Sequence, residues 1–290
     1  MMGYSHALSG LAAGTCVLAV ARIPADLGWV DPVPVPVQVV FAACVGGAAL
    51  LPDIDHPSSS VAKSLGPITG LLARGVHQLA LELYHSTRGP RDNPTKENGH
   101  RLVTHTYVGC LALGLLFGIP AMVSPWAAAV SVGLVVGLLG AGMKRTVGRL
   151  LRRTLGIRLA ASLFLALVSG PAGYWVSDRY PGWSWVIGAG IFLGCAVHRE
   201  GDWLTTAGVP RRLWPQMIDG KRWDRVCAPE TFDTDSATEH LVMRPIFGVT
   251  LALGLLGDFG VLGYLVSVGV SYFYPEVPVA VSGVSLGGSR

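Results

Sequence analysis

Charged residues are scarce in this chain. Asp, Glu, Lys and Arg make up 14% of its 290 residues, against about a quarter in soluble globular domains. With 51% hydrophobic residues and a mean hydropathy of +0.49, that scarcity argues against a soluble domain and for a polytopic membrane protein. Cysteine pairing is missing too. Among Cys16, Cys44, Cys110, Cys195 and Cys227 no CxxC occurs, so neither a disulfide framework nor a zinc ribbon is indicated. The first four lie in apolar runs, as small buried side chains do. No basic residue precedes Arg22, so "MMGYSHALSG" lacks the charged start of a cleaved signal and reads as the opening of a retained helix. No internal repeat of fixed period is visible.

Long apolar stretches are what the chain does have, with 38 glycines, a residue common in membrane helices. A bilayer core takes about 20 apolar residues per helix. Seven candidate spans follow: 7–21, 37–51, 102–123, 125–143, 159–177, 182–198 and 246–273. The expected fold class is therefore all-α, a polytopic helical membrane protein with about seven embedded helices. One helical membrane domain is expected over 1–275, with a flexible tail at 276–290. The stretch "LGPITGLLARGVHQLALELY" (65–84) is amphipathic and broken by charge, which suits an interfacial helix. The alternating prolines of "DPVPVPV" (31–37) predict an extended connector. Trp126, Trp183 and Trp185 open two of the spans, at the interface depth such rings prefer.

Basic residues set the expected orientation. The segment "KRTVGRLLRRTLGIR" (144–158) holds six and no acid, so it is placed in the cytoplasm. Threading seven spans from there puts the N-terminus and the loops 52–101 and 199–245 on the same side. Those loops hold six and seven more, and only Arg22, Arg179 and Arg290 of the 22 fall outside. A multi-pass protein of a bacterial-type cytoplasmic (inner) membrane is expected, in contact with membrane lipids. The basic loops show no aromatic interleaving, so no specific nucleic-acid partner is expected. Oligomeric state is not legible.

Metal-ligand residue types gather at one predicted membrane depth. His6 precedes the first span; Asp53, Asp55 and His56, in "LLPDIDHP", follow the second; His100 and His105, in "GHRLVTHTYV", enter the third; His198 and Asp202 leave the sixth. Imidazole and carboxylate suit zinc, and also manganese or iron. His198 and Asp202 are spaced i, i+4 and share a helix face. His100 and His105, about 140° apart on a helix, converge only if His100 lies before the helix and folds back. Pro52 and Pro57 bracket "DIDH" and favour a turn there, which can point Asp53 and His56 the same way while Asp55 serves a second metal or supports the first. Eight ligand-type residues exceed one tetrahedral site, which implies two metals, or one with supporting partners. Polar groups at membrane depth are costly and tend to be functional. The pair Glu239–His240 and the lone Asp258 are weaker candidates, and His77 and His85 have no partner motif.

"SHALSG", "LLPDIDHP", "HRLVTH" and "HREGDWLTTAGVPRRLWP" together resemble the YdjM-type family of LexA-regulated, inner-membrane-associated metal-dependent hydrolases, over about residues 3–216. The resemblance implies that His6, Asp53, Asp55, His56, His100, His105, His198 and Asp202 form the metal site, and that Arg101 and Thr104 occupy the polar positions between the two histidines. Leu102 stands where the family more often has glycine, and Arg199 and Glu200 where it has small or apolar residues. A hydrolase with one or two divalent ions, most simply Zn2+ with Mn2+ as the other choice, acting on a phosphoester or lipid-linked substrate, is the functional expectation. Arg101 would pair with a phosphate oxygen or a headgroup, and Glu200 would be a general base. A transporter, or a structural protein tied together by its metal, is the alternative. Midplane placement would mark the first, and a closed four-ligand site the second.

Overall fold

A computed structural model of the chain describes residues 1–59, 61–154, 160–211 and 213–258. The described residues form nine α-helices: α1 (Gly3–Asp26), α2 (Val35–Ala48), α3 (Pro67–Thr87), α4 (Tyr107–Val123), α5 (Pro125–Gly142), α6 (Lys144–Thr154), α7 (Ala161–Arg179), α8 (Trp185–Trp203) and α9 (Arg244–Asp258). Short 3₁₀ turns at Leu51–Asp55 and Val103–His105 interrupt the succession, and a two-residue antiparallel pair joins Val209–Pro210 to Arg225–Val226. This is the expected all-α membrane-type fold.

Local sequence explains the helix starts. Proline opens α3 and α5 and falls in the first turn of α2, where its missing N–H costs no hydrogen bond. Thr106 caps α4, its Oγ1 accepting from the Gly109 amide at 2.9 Å. The proline-rich connector ends sooner than its composition suggests, because Pro34 and Pro36 serve as the cap and first turn of α2.

Each of the seven expected spans falls on a helix, but length and apolarity single out fewer of them. Gly3–Asp26, Val35–Asp55, Pro125–Gly142 and Glu239–Gly257 each qualify alone. Ala161–Arg179 and Pro181–Trp203 qualify only together, as a pair bent by 114°. At 17 residues, α4 is shorter, because its Thr106 cap and the Ser124–Pro125 break bound it tightly. Among the described residues that makes four or five candidate spans by length and composition, against the seven expected. The far part of the 246–273 span, the start of the 159–177 span, and the tail at 276–290 lie outside the described residues.

Helix α2 sits at the centre, packed on α1, α5 and α8, while α5 packs most extensively on α7, α1 on α9, and α4 on α8. Small residues permit this. A Cβ on Gly47 would lie 2.1 Å from the Val135 carbonyl oxygen of α5, and one on Gly194 2.4 Å from the Val45 carbonyl oxygen of α2. Such close backbone approach is how helices associate in lipid, where no hydrophobic drive acts between them. The buried core runs through Val37, Phe41, Cys44, Val45, Val132, Val136, Ile187 and Ile191. Helix α3 has an apolar and a polar face, as expected, and buries only Thr69, Ala73, Ala80 and Tyr84. These contacts bring the start of α1, the end of α2, the approach to α4 and the end of α8 to one end of the bundle.

Candidate metal centre

The expected site residues meet at that end. His198 and Asp202 lie one turn apart near the end of α8, both buried, with His198 Nε2 3.5 Å from Asp202 Oδ2. His6, in the first turns of α1, stacks on His198 with ring centroids 3.8 Å apart. Its Nε2 is 3.2 Å from Asp202 Oδ1, beside the amino group of Met1, which is 2.7 Å from the same oxygen. Prolines and the end of α2 turn Leu51–Asp55 into a 3₁₀ segment, whose Asp53 carboxylate reaches within 3.5 Å of His198 Nε2. His100 does lie before the helix and folds back, its ring 5.3 Å from that of His105.

Two groups of three ligand atoms result, each with its atoms within 4.8 Å of one another: His6, His198 and Asp202, and Asp53, His100 and His105. They adjoin each other where His105 Nε2 lies 3.1 Å from His198 Nε2 and 3.4 Å from Asp202 Oδ2.

The tautomers at this junction follow from the partners of the other ring nitrogens. His198 Nδ1 faces the Ala49 carbonyl oxygen at 2.8 Å, so it must carry the proton. Thr104 Oγ1 gives its only proton to Asp55 Oδ2 at 2.5 Å, so it accepts from His105 Nδ1 at 2.9 Å. Neutral His105 and His198 therefore turn two bare lone pairs on each other at 3.1 Å. That contact is repulsive unless a cation or a proton lies between. His6 Nδ1, His6 Nε2 and Asp202 Oδ2 are also buried without a hydrogen-bond partner among the described residues. Asp202 Oδ2 has Arg101 Nε at 3.0 Å, as a charge neighbour outside hydrogen-bonding geometry. Unpaired buried polar groups of this kind are costly, and their types and spacing fit a divalent ion. Burial by itself pushes His105 toward the neutral form, but the carboxylates of Asp202 and Asp55 outweigh it and raise its pKa to about 9. Without a metal, a proton on His105 is the cation the junction holds. Burial lowers the pKa of His100, partly offset by Asp55, which favours the neutral ligand form.

Asp55 belongs to neither ligand group but contacts two members of the second, His100 and His105. Its Oδ1 meets His100 Nδ1 at 2.7 Å, and its Oδ2 accepts from the Arg101 amide at 3.1 Å and from Thr104. One carboxylate thus fixes three residues of the "HRLVTH" loop. His56 does not join either group: it stacks on His100, centroids 5.0 Å apart, and its Nε2 meets Ser58 Oγ.

Arg101 was expected to face a phosphate or a headgroup; it is buried instead. Its NH1 donates to Thr205 Oγ1 and the Gly208 carbonyl, each at 3.2 Å. Its φ of 55° is unusual for a residue other than glycine. The Asp55–amide bond and the guanidinium contacts hold it there. Glu200 is directed to the Tyr107 hydroxyl at 2.6 Å and to Arg199, so its described partners lie outside the cluster. Leu102, in place of the glycine, fills a second core with Ala80, Tyr84 and Trp223.

Three further residues support the site: Arg225, which sequence reasoning missed, His77, which it set aside for want of a partner motif, and Glu239, which it ranked with His240 as a weaker candidate. His77 Nδ1 meets the Asp55 carbonyl oxygen at 3.0 Å, Arg225 donates to the His100 carbonyl at 2.9 Å, and buried Glu239 accepts from the Met2 amide at 2.7 Å. Each sits far along the chain from what it supports. His240 pairs with Asp235 at 2.7 Å on the surface. The side chain of Asp258 lies outside the described residues.

Fold and site define a helical membrane-type protein carrying a His/Asp group able to bind metal. Residues 1–143 match the model of the YdjM inner membrane protein family, the resemblance drawn from the motifs. The match stops short of the expected residue 216, so it takes in the ligand residues up to His105 but neither His198 nor Asp202. No curated protein and no solved structure matches the chain.

Proposed function

We propose that the protein is a multi-pass inner-membrane hydrolase, N-terminus in the cytoplasm, that cleaves a phosphoester or lipid-linked substrate with one or two divalent ions, most simply zinc. The observation that carries this reading is the junction between Asp53 and Asp202, where His105 Nε2 and His198 Nε2 approach to 3.1 Å and need a cation between them, beside His6 Nδ1, His6 Nε2 and Asp202 Oδ2, which are buried without a hydrogen-bond partner among the described residues. His6, His198 and Asp202 would hold one ion, and Asp53, His100 and His105 the other. Three protein ligands per ion leave a position open, as catalytic sites do. Such an ion supplies Lewis acidity and lowers the pKa of water toward neutrality. Asp55 and Thr104 hold His100 and His105 in the ligand tautomers, and Arg101 sets Asp202 while lowering the net negative charge. Asp53 and His100, each with side chains 22% exposed, form the edge a substrate would reach. Glu200, held by Tyr107 and Arg199, is given no proton-transfer role.

A purely structural centre is the competing reading, and the burial of His6, His105, His198 and Asp202 favours it. Metal content of the purified wild type and Asp53→Ala, with turnover on phosphodiester and lipid substrates, decides. Metal-free wild type would sink both readings. Bound metal without turnover of any substrate leaves the structural one.

A further inference from the structure

A cavity of about 550 Å³ opens at the same end of the bundle, between the start of α1, the junction of α5 and α6, and the start of α9. Lys144, Arg145, Arg149 and Arg244 line it, together with Asp235 and His240. The one acid in that lining is taken: Asp235 Oδ1 lies 2.7 Å from His240 Nε2. Among the described residues, none of the four cations forms an ion pair. Two of them are held in place. Arg244 donates from Nε to Ser5 Oγ at 3.0 Å and lies over the Tyr4 ring at 5.3 Å. Arg149 Nε donates to the Arg145 carbonyl at 3.0 Å. Glu239, the acid next along the chain, is turned to the Met2 and Asp235 amides.

Membrane topology accounts for basic residues on this face but not for their arrangement. Residues needed only to stay in the cytoplasm spread out, because like charges repel. Here four cations from two separate helices converge on one concave space, and the positive end of α1 adds to them. An anion relieves that repulsion, and arginine's planar fork suits phosphate oxygens.

We propose that this cavity is a phosphate-binding site, taking the phosphomonoester of an anionic amphiphile or of a small soluble ester. It is separate from the His/Asp centre and does not depend on how that centre is read.

The test uses full-length protein in detergent and in chelator, so no metal chemistry enters. Binding of dihexanoyl phosphatidic acid, glycerol 3-phosphate and dihexanoyl phosphatidylcholine is measured by titration calorimetry. Phosphatidic acid is expected to bind, and zwitterionic phosphatidylcholine at least about tenfold more weakly. Arg145→Gln and Arg149→Gln should each weaken binding by about tenfold, the scale of one charge-assisted contact. Arg153→Gln, on the same helix but outside the cavity, should change it by less than about twofold. Glycerol 3-phosphate binding as well as phosphatidic acid identifies a soluble ester, and binding that needs the acyl chains identifies a lipid; both uphold the site. Failure of both phosphatidic acid and glycerol 3-phosphate to bind, equal affinity for phosphatidylcholine, or an equal loss in Arg153→Gln overturns it.

Discussion

Three neighbouring residues of "LLPDIDHP" should respond in three different ways to alanine. Among the described residues the Asp53 side chain makes no hydrogen bond and only approaches His198, at 3.5 Å. Its removal should leave the metal-free protein within about 1 kcal/mol of wild type. Metal affinity should fall by more than the ~10–100-fold seen when a supporting residue is lost, because a charged ligand goes. Asp55 is buried and accepts from His100, the Arg101 amide and Thr104 at 2.7, 3.1 and 2.5 Å. Hydrogen bonds to a charged group are worth about 1.5–3 kcal/mol each, but these three share one carboxylate and are not additive. Breaking a buried charged network costs about 3–5 kcal/mol, and that is the expected destabilisation. It corresponds to a melting-temperature drop on the order of 10 °C. Asp55→Ala should therefore lose both stability and metal. His56→Ala removes a stacked ring and should change metal affinity by less than about fivefold. Thermal melts of chelator-treated protein, paired with competition against a chromophoric chelator, separate the two quantities. The assignment fails if Asp55→Ala melts with the wild type, or if Asp53→Ala binds metal as tightly as His56→Ala does.

Other perturbations test the surroundings. Arg101→Lys keeps the charge but cannot span Asp202, Thr205 and Gly208 together, so a loss of about 1–3 kcal/mol is expected in thermal melts, and unchanged melting would refute the clamp. Gly47→Ala places a Cβ against the Val135 carbonyl and should cost about 1–3 kcal/mol by forcing α2 from α5; a neutral effect would contradict the close packing. Metal must displace the proton of His105, so apparent affinity should rise by up to about tenfold per pH unit and level off near pH 9. Titrations between pH 6 and 9 that show no slope would count against His105 as a ligand. In the metal-free protein the same raised pKa stabilises the fold fully below the ordinary value of 6.5, and that stabilisation is lost as pH rises through about 9.

Much of this protein is written in local pattern. Apolar runs, prolines and the Thr106 cap place the helices, because backbone preference and lipid solubility act over a few residues. The i, i+4 pair His198–Asp202 and the folded-back His100 were legible for the same reason, since helix geometry fixes them. Which helices are long enough to span, and the 114° bend between α7 and α8, were less so: caps and breaks shorten helices inside continuous apolar runs.

Roles within the cluster were legible only in part. The turn at "DIDH" set Asp55 apart as a ligand to a second metal or a supporting residue, but grouped His56 with Asp53, and sequence marked Arg101 and Glu200 as reactive. Only the packed structure turns Asp53 toward His198, Asp55 toward the "HRLVTH" loop, His56 to the edge and Glu200 to Tyr107. Composition and periodicity determine that the ligands arrive at one end of the bundle. The direction in which most of these side chains point depends on contacts distant along the chain, such as those of Asp55 with His100, 45 residues away, and of Asp202 with the Met1 amino group, 201 residues away. Interactions of that range exist only once the helices have packed.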